Sequence, residues 1–250
     1  MIFPLISPFA SRVGSGGSTP PSTLPDGLTA SYSLNGNANK NVGTNNGTAT
    51  NVTWAAGKFS DCGVFNGTAW IEVLDNSDFT FDANDFAYSI WLKRGTIGTT
   101  QIFSGQANPG GTNAGTSLSL RFQPDNKIGF SAIFSDLNKI GVSVIFSDLT
   151  SNYVDTGVVI NDITTWHNVI FQRNGANLEV YLDGSLSYTG VSFFGVKAVN
   201  NPTTRWSFGR PGEFNAAYFN GNINEINLWK SRKLTGTEIT ELQTKAYPFT

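Results

Sequence analysis

Residues Trp166-His167-Asn168-Val169-Ile170-Phe171-Gln172-Arg173-Asn174-Gly175, followed by Asn177-Leu178-Glu179-Val180-Tyr181-Leu182-Asp183-Gly184, read as strand, tight turn and strand. Two alternating apolar runs meet at Asn174-Gly175, and a tight hairpin turn needs the positive φ that Asn and Gly adopt at low cost. A chain built around such a unit is committed to antiparallel sheet. Four more Asn-Gly pairs, beginning at Asn35, Asn46, Asn66 and Asn220, spread the same turn chemistry along the sequence. Short apolar runs separated by turns fill the chain from Leu28 onward, which is the rhythm of sandwiches and jelly rolls. The convincing helical signal is Thr235-Gly236-Thr237-Glu238, a capping box ahead of Ile239 and Leu242. The expected class is therefore all-β, a two-sheet antiparallel jelly-roll sandwich with a short C-terminal helix.

At 250 residues, 39% apolar and 13% aromatic, the chain can bury one large core. Charged residues make up only 14% and the net charge is −2, so there is no electrostatic footprint for nucleic acid or an anionic membrane. Cys62 is the only cysteine. A disulfide framework and a cysteine-based metal cluster are thereby excluded, and Cys62 is expected to pack as a small apolar residue.

Residues 1–27 differ in composition from the rest. Met1 to Ala10 are apolar, with two prolines and no basic segment, which makes a poor secretory leader and is too short to span a bilayer. Ser11 to Gly27 are rich in Gly, Ser, Thr and Pro, the make-up of a linker. The division expected is an extended N-terminal arm and linker over 1–27 and a sandwich over 28–250, with Ile2, Phe3, Leu5, Ile6 and Phe9 docking on another chain. Inside the sandwich, Lys127 to Asn138 recur as Lys139 to Thr150. Each copy alternates apolar and small residues, so the duplication is expected to add a strand or hairpin to a sheet.

The chemistry is defined by what is missing. Any histidine-dependent catalysis has to run through His167, which shares a strand face with Val169 and Phe171 and is expected to be a hydrogen-bonded core residue. Carboxylate-pair hydrolysis needs closely placed acids; the glutamates are scattered, apart from Glu238 and Glu241 on the expected helix. No catalytic residue is assigned. Leu74-Asp75-Asn76-Ser77-Asp78 and Phe81-Asp82-Ala83-Asn84-Asp85 offer hard oxygen ligands for a structural Ca²⁺, although Asx-rich loops more often bond their own backbone.

Several blocks in order carry a family likeness: Ala30 to Ala38, Gly57-Lys58-Phe59, Val64-Phe65-Asn66-Gly67, Phe86 to Leu92, Trp166-His167, Tyr181-Leu182-Asp183-Gly184, and Phe219 to Trp229. Together they resemble a laminin G-like domain of the concanavalin A-like lectin and glucanase superfamily. The resemblance implies a jelly roll that serves as a carbohydrate- or protein-binding module, some members using Ca²⁺, with the Trp-His pair structural. This chain has Asn35, Asn66 and Asn224 where the family often has Asp, which removes charge from any inherited cation site.

The expected function is a non-enzymatic virion surface protein, of bacteriophage, made in the host cytoplasm without a signal peptide. The arm would bind other virion proteins and the lectin-like domain a host surface glycan, through Trp54, Trp206, Tyr218 and Phe219 stacking on sugar faces. Weak sugar sites favour a homo-oligomer through avidity. The alternative is a purely structural decoration or cement protein that binds no sugar.

Overall fold

The computed structural model describes residues 22–106, 118–123, 125–130, 144–145, 151–152, 154–191, 193–195, 199, 204–210 and 217–249. Its strands in chain order are β1 (Leu28–Tyr32), β2 (Gly47–Thr50), β3 (Thr53–Ala56), β4 (Asp61–Asn66), β5 (Trp70–Val73) and β6 (Phe86–Arg94). Then follow β7 (Gln101–Gln106), β8 (Leu118–Phe122), β9 (Lys127–Phe130), β10 (Val144–Ile145), β11 (Ser151–Asn152) and β12 (Val154–Val159). The last five are β13 (His167–Asn174), β14 (Asn177–Leu182), β15 (Ser185–Gly190), β16 (Trp206–Phe208) and β17 (Asn220–Lys230), ahead of helix α1 (Gly236–Glu241).

Two antiparallel sheets form a sandwich. The first runs β15-β14-β13-β6-β17-β4-β3, with β1 also on β17; the second runs β12-β9-β8-β7-β16-β5-β2. Alternation decides what each strand buries. Phe86, Tyr88, Ile90 and Leu92 of β6, Val169 and Phe171 of β13, and Leu118, Leu120 and Phe122 of β8 all enter one core. Phe103 and Phe219 pack with Phe122 at its centre, with ring centroids 5.1 and 6.4 Å away. Each fully buried side chain of this size contributes about 1.5–3 kcal/mol of transfer free energy.

The opposite positions of the first sheet are not left to solvent. Ala87, Ile170 and Trp229 face away from the core and meet Leu234, Ile239, Leu242 and Phe249, so the C-terminal segment covers this outer face. Helix α1 starts as expected: the Thr235 side chain accepts from Glu238 N, and the Glu238 side chain accepts from Thr235 N, a complete capping box. Residues 22–27, grouped with the linker by composition, also pack here. Leu24 is fully buried, its carbonyl accepts from Trp229 Nε1 at 2.7 Å, and Thr23 Oγ1 donates to Glu238 Oε1 at 2.8 Å. Arg232 ties the segment down from the same side, donating to Asp26 O and to both Glu238 oxygens.

The hairpin that opens the sequence argument forms, with Asn174 paired to Asn177 and Gly175 at φ 60°. The two turn residues are thus Gly175 and Ala176, one place later than the sequence suggested. A second tight turn, Asp183-Gly184 with φ 49° and 82°, joins β14 to β15. Asn220-Gly221 is not a turn at all: it lies inside β17, where a Cβ on Gly221 would sit 2.3 Å from Lys93 O. Of the duplicated segment, Lys127–Phe130 forms β9 between β8 and β12, and Val144–Ile145 pairs with Ser151–Asn152. The remainder of both copies lies outside the described residues, as do Ile2, Phe3, Leu5, Ile6 and Phe9.

Strand β17 has an unusual neighbourhood. One edge pairs with β6 along its whole length, while the other is shared end to end by β4, opposite residues 220–223, and β1, opposite 226–229. The gap between those two partners falls on Asn224 and Glu225, where the register shifts and Glu225 takes φ 46°. Asn224, fully buried, closes it: Nδ2 donates to Ser33 O at 2.6 Å and Asp61 O at 3.0 Å, and Oδ1 accepts from Phe59 N at 3.2 Å. One amide therefore serves three backbone groups beside the gap.

Candidate functional site

Two of the four aromatic residues expected to meet a ligand are core residues. Trp206 is 1% and Phe219 0% exposed. Trp206 stacks on Phe79 at 4.7 Å and 12° and donates Nε1 to Ser104 Oγ at 3.0 Å, so neither its face nor its N–H is available. Phe219 is enclosed by Phe65, Phe103 and Phe122. Both sit at inward positions, which alternation alone does not reveal for a strand of three residues or for a residue just before a strand. Trp54 is half-buried on edge strand β3 of the first sheet and packs against the core. Tyr218 is half-buried and belongs to the second sheet, bridging to Ile102.

Tyr218 has a neighbour the sequence reading passed over. Ile71 and Val73 of β5 point into the core, so Trp70 and Glu72 face outward, and the Trp70 ring lies 5.8 Å from that of Tyr218 at 43°. The Arg210 guanidinium lies over the Trp70 ring at 4.2 Å and pairs with Glu72. Arg205 reaches Glu72 from solvent, Nη1 to Oε2 at 3.0 Å. Glu72 is thus shared by two guanidinium groups. The Trp70 indole Nε1 is buried without an acceptor among the described residues. The signal in the sequence was the alternation Trp70-Ile71-Glu72-Val73, which forces a large aromatic to the outside.

This set combines aromatic faces with charged donors and one carboxylate. Such a combination suits a polyhydroxylated ligand, whose C–H faces pack on rings and whose hydroxyls need donors and acceptors together.

His167 has a different role. Nδ1 lies 2.7 Å from Asp183 Oδ2 and Nε2 lies 2.8 Å from Asp162 Oδ2, so both ring nitrogens face carboxylates. The Asp183 bond raises the imidazole pKa, burial opposes it, and Asp162 adds to the rise. Asp162 is held well below the ordinary carboxylate range, first by the His167 bond. Asp183 Oδ1 also accepts from Asn168 N at 2.8 Å, which fixes the turn to the start of β13. A ring with both nitrogens donating holds a loop and a turn together and has no lone pair for proton abstraction.

The linkage has a definite sign. A raised imidazole pKa contributes stability that is complete below about pH 6.5 and is lost as pH rises through the folded-state value. The depressed Asp162 pKa contributes stability present above about pH 3.9 and lost as pH falls further. The clamp is expected to act fully between those limits. Because the chain has one histidine, its NMR titration needs no assignment, and a midpoint at or below that of a free histidine peptide would refute the clamp. In His167→Gln the melting temperature is expected to lose its decline from pH 6 to pH 9.

In the loops offered for Ca²⁺, Asp78 and Asp85 bond to backbone. Asp78, 7% exposed, accepts from Thr44 N and Thr44 Oγ1, and Asp85 Oδ1 accepts from Gly175 N at 2.7 Å. Asn66 Oδ1 accepts from Thr68 N in a local turn. Among the described residues, no group of three His, Cys, Asp or Glu side chains is placed to hold a metal ion. No described helix is long and apolar enough to cross a membrane.

Comparison with known proteins bears on the whole arrangement. Domain 4 of AbnA, a GH43 extracellular arabinanase from Geobacillus stearothermophilus solved in complex with arabinotriose, matches with TM-score 0.62 at 20% identity over 87% of this chain and 98% of that one. The binding domain of Paraclostridial Mosquitocidal Protein 1 matches with TM-score 0.64 at 16% identity, over 88% of this chain and 52% of that one. The binding domain of botulinum neurotoxin serotype G matches with TM-score 0.61 at 14% identity, over 86% and 50%. The chain therefore spans about half of the toxin domains, and at these identities the likeness is one of fold. No curated protein matches the chain in sequence. The laminin G family model, described as the concanavalin A-like lectin/glucanases superfamily, matches residues 65–240. That stretch runs from the end of β4 through both sheets into α1, and on it the chain belongs to the laminin G-like family of that superfamily.

Proposed function

We propose that this protein is a non-enzymatic glycan-binding module whose sugar contact is the outward face formed by Trp70, Tyr218, Glu72, Arg205 and Arg210. The observation that carries the reading is the half-buried Trp70–Tyr218 pair beside a Glu72 carboxylate shared by two arginines, on the outer side of a lectin-fold sheet. The likeness to an arabinanase domain solved in complex with arabinotriose and to toxin binding domains supports the same class of role.

The test is retention of the full chain on an array of bacterial and animal glycans. Trp70→Ala is expected to weaken the strongest interaction at least about ten-fold, the equivalent of about 1.4 kcal/mol, with the melting temperature nearly unchanged. Undiminished binding in that variant removes the site. Absence of any retained glycan removes the function and favours a decoration or cement role.

The proposed setting is a virion surface, of bacteriophage, with Ile2, Phe3, Leu5, Ile6 and Phe9 as the anchor. The support is compositional: an apolar tip on a Gly, Ser and Pro linker, joined to a sandwich whose first described residues are firmly docked. Deleting residues 1–21 is expected to leave folding and glycan binding intact and to abolish incorporation into particles. Normal incorporation of the truncated chain would refute the anchor.

A further inference from the structure

Strand β6 feeds the core at every second residue, and the next inward position after Leu92 is Arg94. Its side chain is 1% exposed. The guanidinium lies over the Phe122 ring at 4.1 Å, and Nη1 donates to Ile160 O at 2.8 Å and Asn126 Oδ1 at 3.2 Å. Nε and Nη2 are buried and have no acceptor among the described residues. Several other arginines have a carboxylate nearby: Arg210 and Arg205 share Glu72, Arg232 grips Glu238, and Arg173 feels Asp85. For Arg94 burial lowers the pKa to about 10, so it is still charged at neutral pH, and no carboxylate among the described residues pairs with it.

A second orphan lies on the strand paired with Phe122. Gln101, 3% exposed, is the β7 partner of Phe122, and its Oε1 is buried without a partner while Nε2 is held by Thr96 and Thr99. Since hydroxyls either donate or accept, the amide can equally turn its N–H₂ toward the guanidinium side, with Thr96 and Thr99 donating to its oxygen. The unpaired groups of Arg94 and Gln101 are then all N–H donors, beside one buried positive charge. Leaving such donors and such a charge uncompensated is costly.

We infer that Arg94, with Gln101 beside it, forms an internal site for a small monovalent anion such as chloride, closed by the β6–β7 loop. The anion neutralises the charge and accepts from Nε and Nη2. Exchange runs through residues 95–99, which are exposed. This site is separate from the Trp70 face, so the two stand or fall independently.

The test is thermal unfolding of the full chain at constant ionic strength while sodium gluconate, too large to enter, is replaced by chloride or bromide. The expected result is a saturable rise of about 2–4 °C, and in bromide-grown crystals an anomalous peak beside Arg94 Nε and Nη2. Arg94→Met, which fills the place with an apolar chain of similar length, is expected to fold and to melt at one temperature in all three salts. Identical melting of the unaltered chain in the three salts, or a water without anomalous signal at that place, overturns the inference. Should Arg94→Met fail to fold, the bromide peak decides alone.

Discussion

Replacing Trp206 by alanine is expected to lower the stability of the sandwich by about 3–5 kcal/mol, read as an earlier urea midpoint with an unchanged slope. The indole is a keystone of one aromatic cluster: it stacks on Phe79, meets Phe81 edge-on at 5.8 Å and lies 6.0 Å from Tyr88. Its Nε1 and the Tyr88 hydroxyl share Ser104 Oγ, so truncation also disturbs a buried polar junction. The loss comes from lost transfer energy plus the cavity left behind, since neighbours on two sheets cannot all move in. The contrast with Trp70→Ala is sharp. One tryptophan is expected to govern folding and the other ligand affinity, and a Trp206→Ala protein with wild-type stability would contradict the core described above.

Asn224→Asp, the exchange that restores the residue type common in the family, is expected to cost about 2–4 kcal/mol at neutral pH. The amide donates to Ser33 O and Asp61 O at the one place where β17 loses its neighbour. A carboxylate there has no hydrogen to give and sets a buried negative charge against two carbonyl oxygens. Burial already raises the pKa of adjacent Glu225, and no cation is among the influences on it. The aspartate's folded-state pKa must therefore rise above its unfolded value. Folding is penalised above about pH 3.9, and the penalty shrinks as pH falls through the raised value. Chemical denaturation of both proteins at pH 7 and pH 4.5 reads this directly; a difference that does not narrow at the lower pH would show that desolvated charge is not the cause.

Much of the fold was legible because its signals are local. Alternation, turn residues and the Thr235 capping box need only neighbouring residues, and the hairpin and α1 form close to where they were expected. The family blocks gave the architecture for the same reason, since each is a short stretch with its own periodicity. The candidate site was less legible. Which face of a three-residue strand such as β16 turns inward is decided by β5 and β7 on either side, far away in sequence, so Trp206 was expected at a ligand and Trp70 was not. The pairing of Glu72 with Arg205 and Arg210 joins residues more than a hundred positions apart, and no spacing rule reaches that far. The sequence shows Asn224 only by its difference from a carboxylate, whereas its meaning lies in three backbone partners on two distant segments.

The docking of residues 22–26 has a mechanical consequence. Leu24, Thr23 and Asp26 are fastened to Trp229, Glu238 and Arg232 on the outer side of the first sheet, whereas Trp70 and Glu72 look out from the second. A molecule held by its N-terminal segment and by a ligand at Trp70 would be loaded through the thickness of the sandwich, from one outer surface to the other. Tension along the leading chain meets the buried Leu24 and the Glu238 grip before it reaches β1, so the first event under pull is release of that short fastening, with the two sheets still closed. The sandwich itself stays out of the force path until that fastening gives.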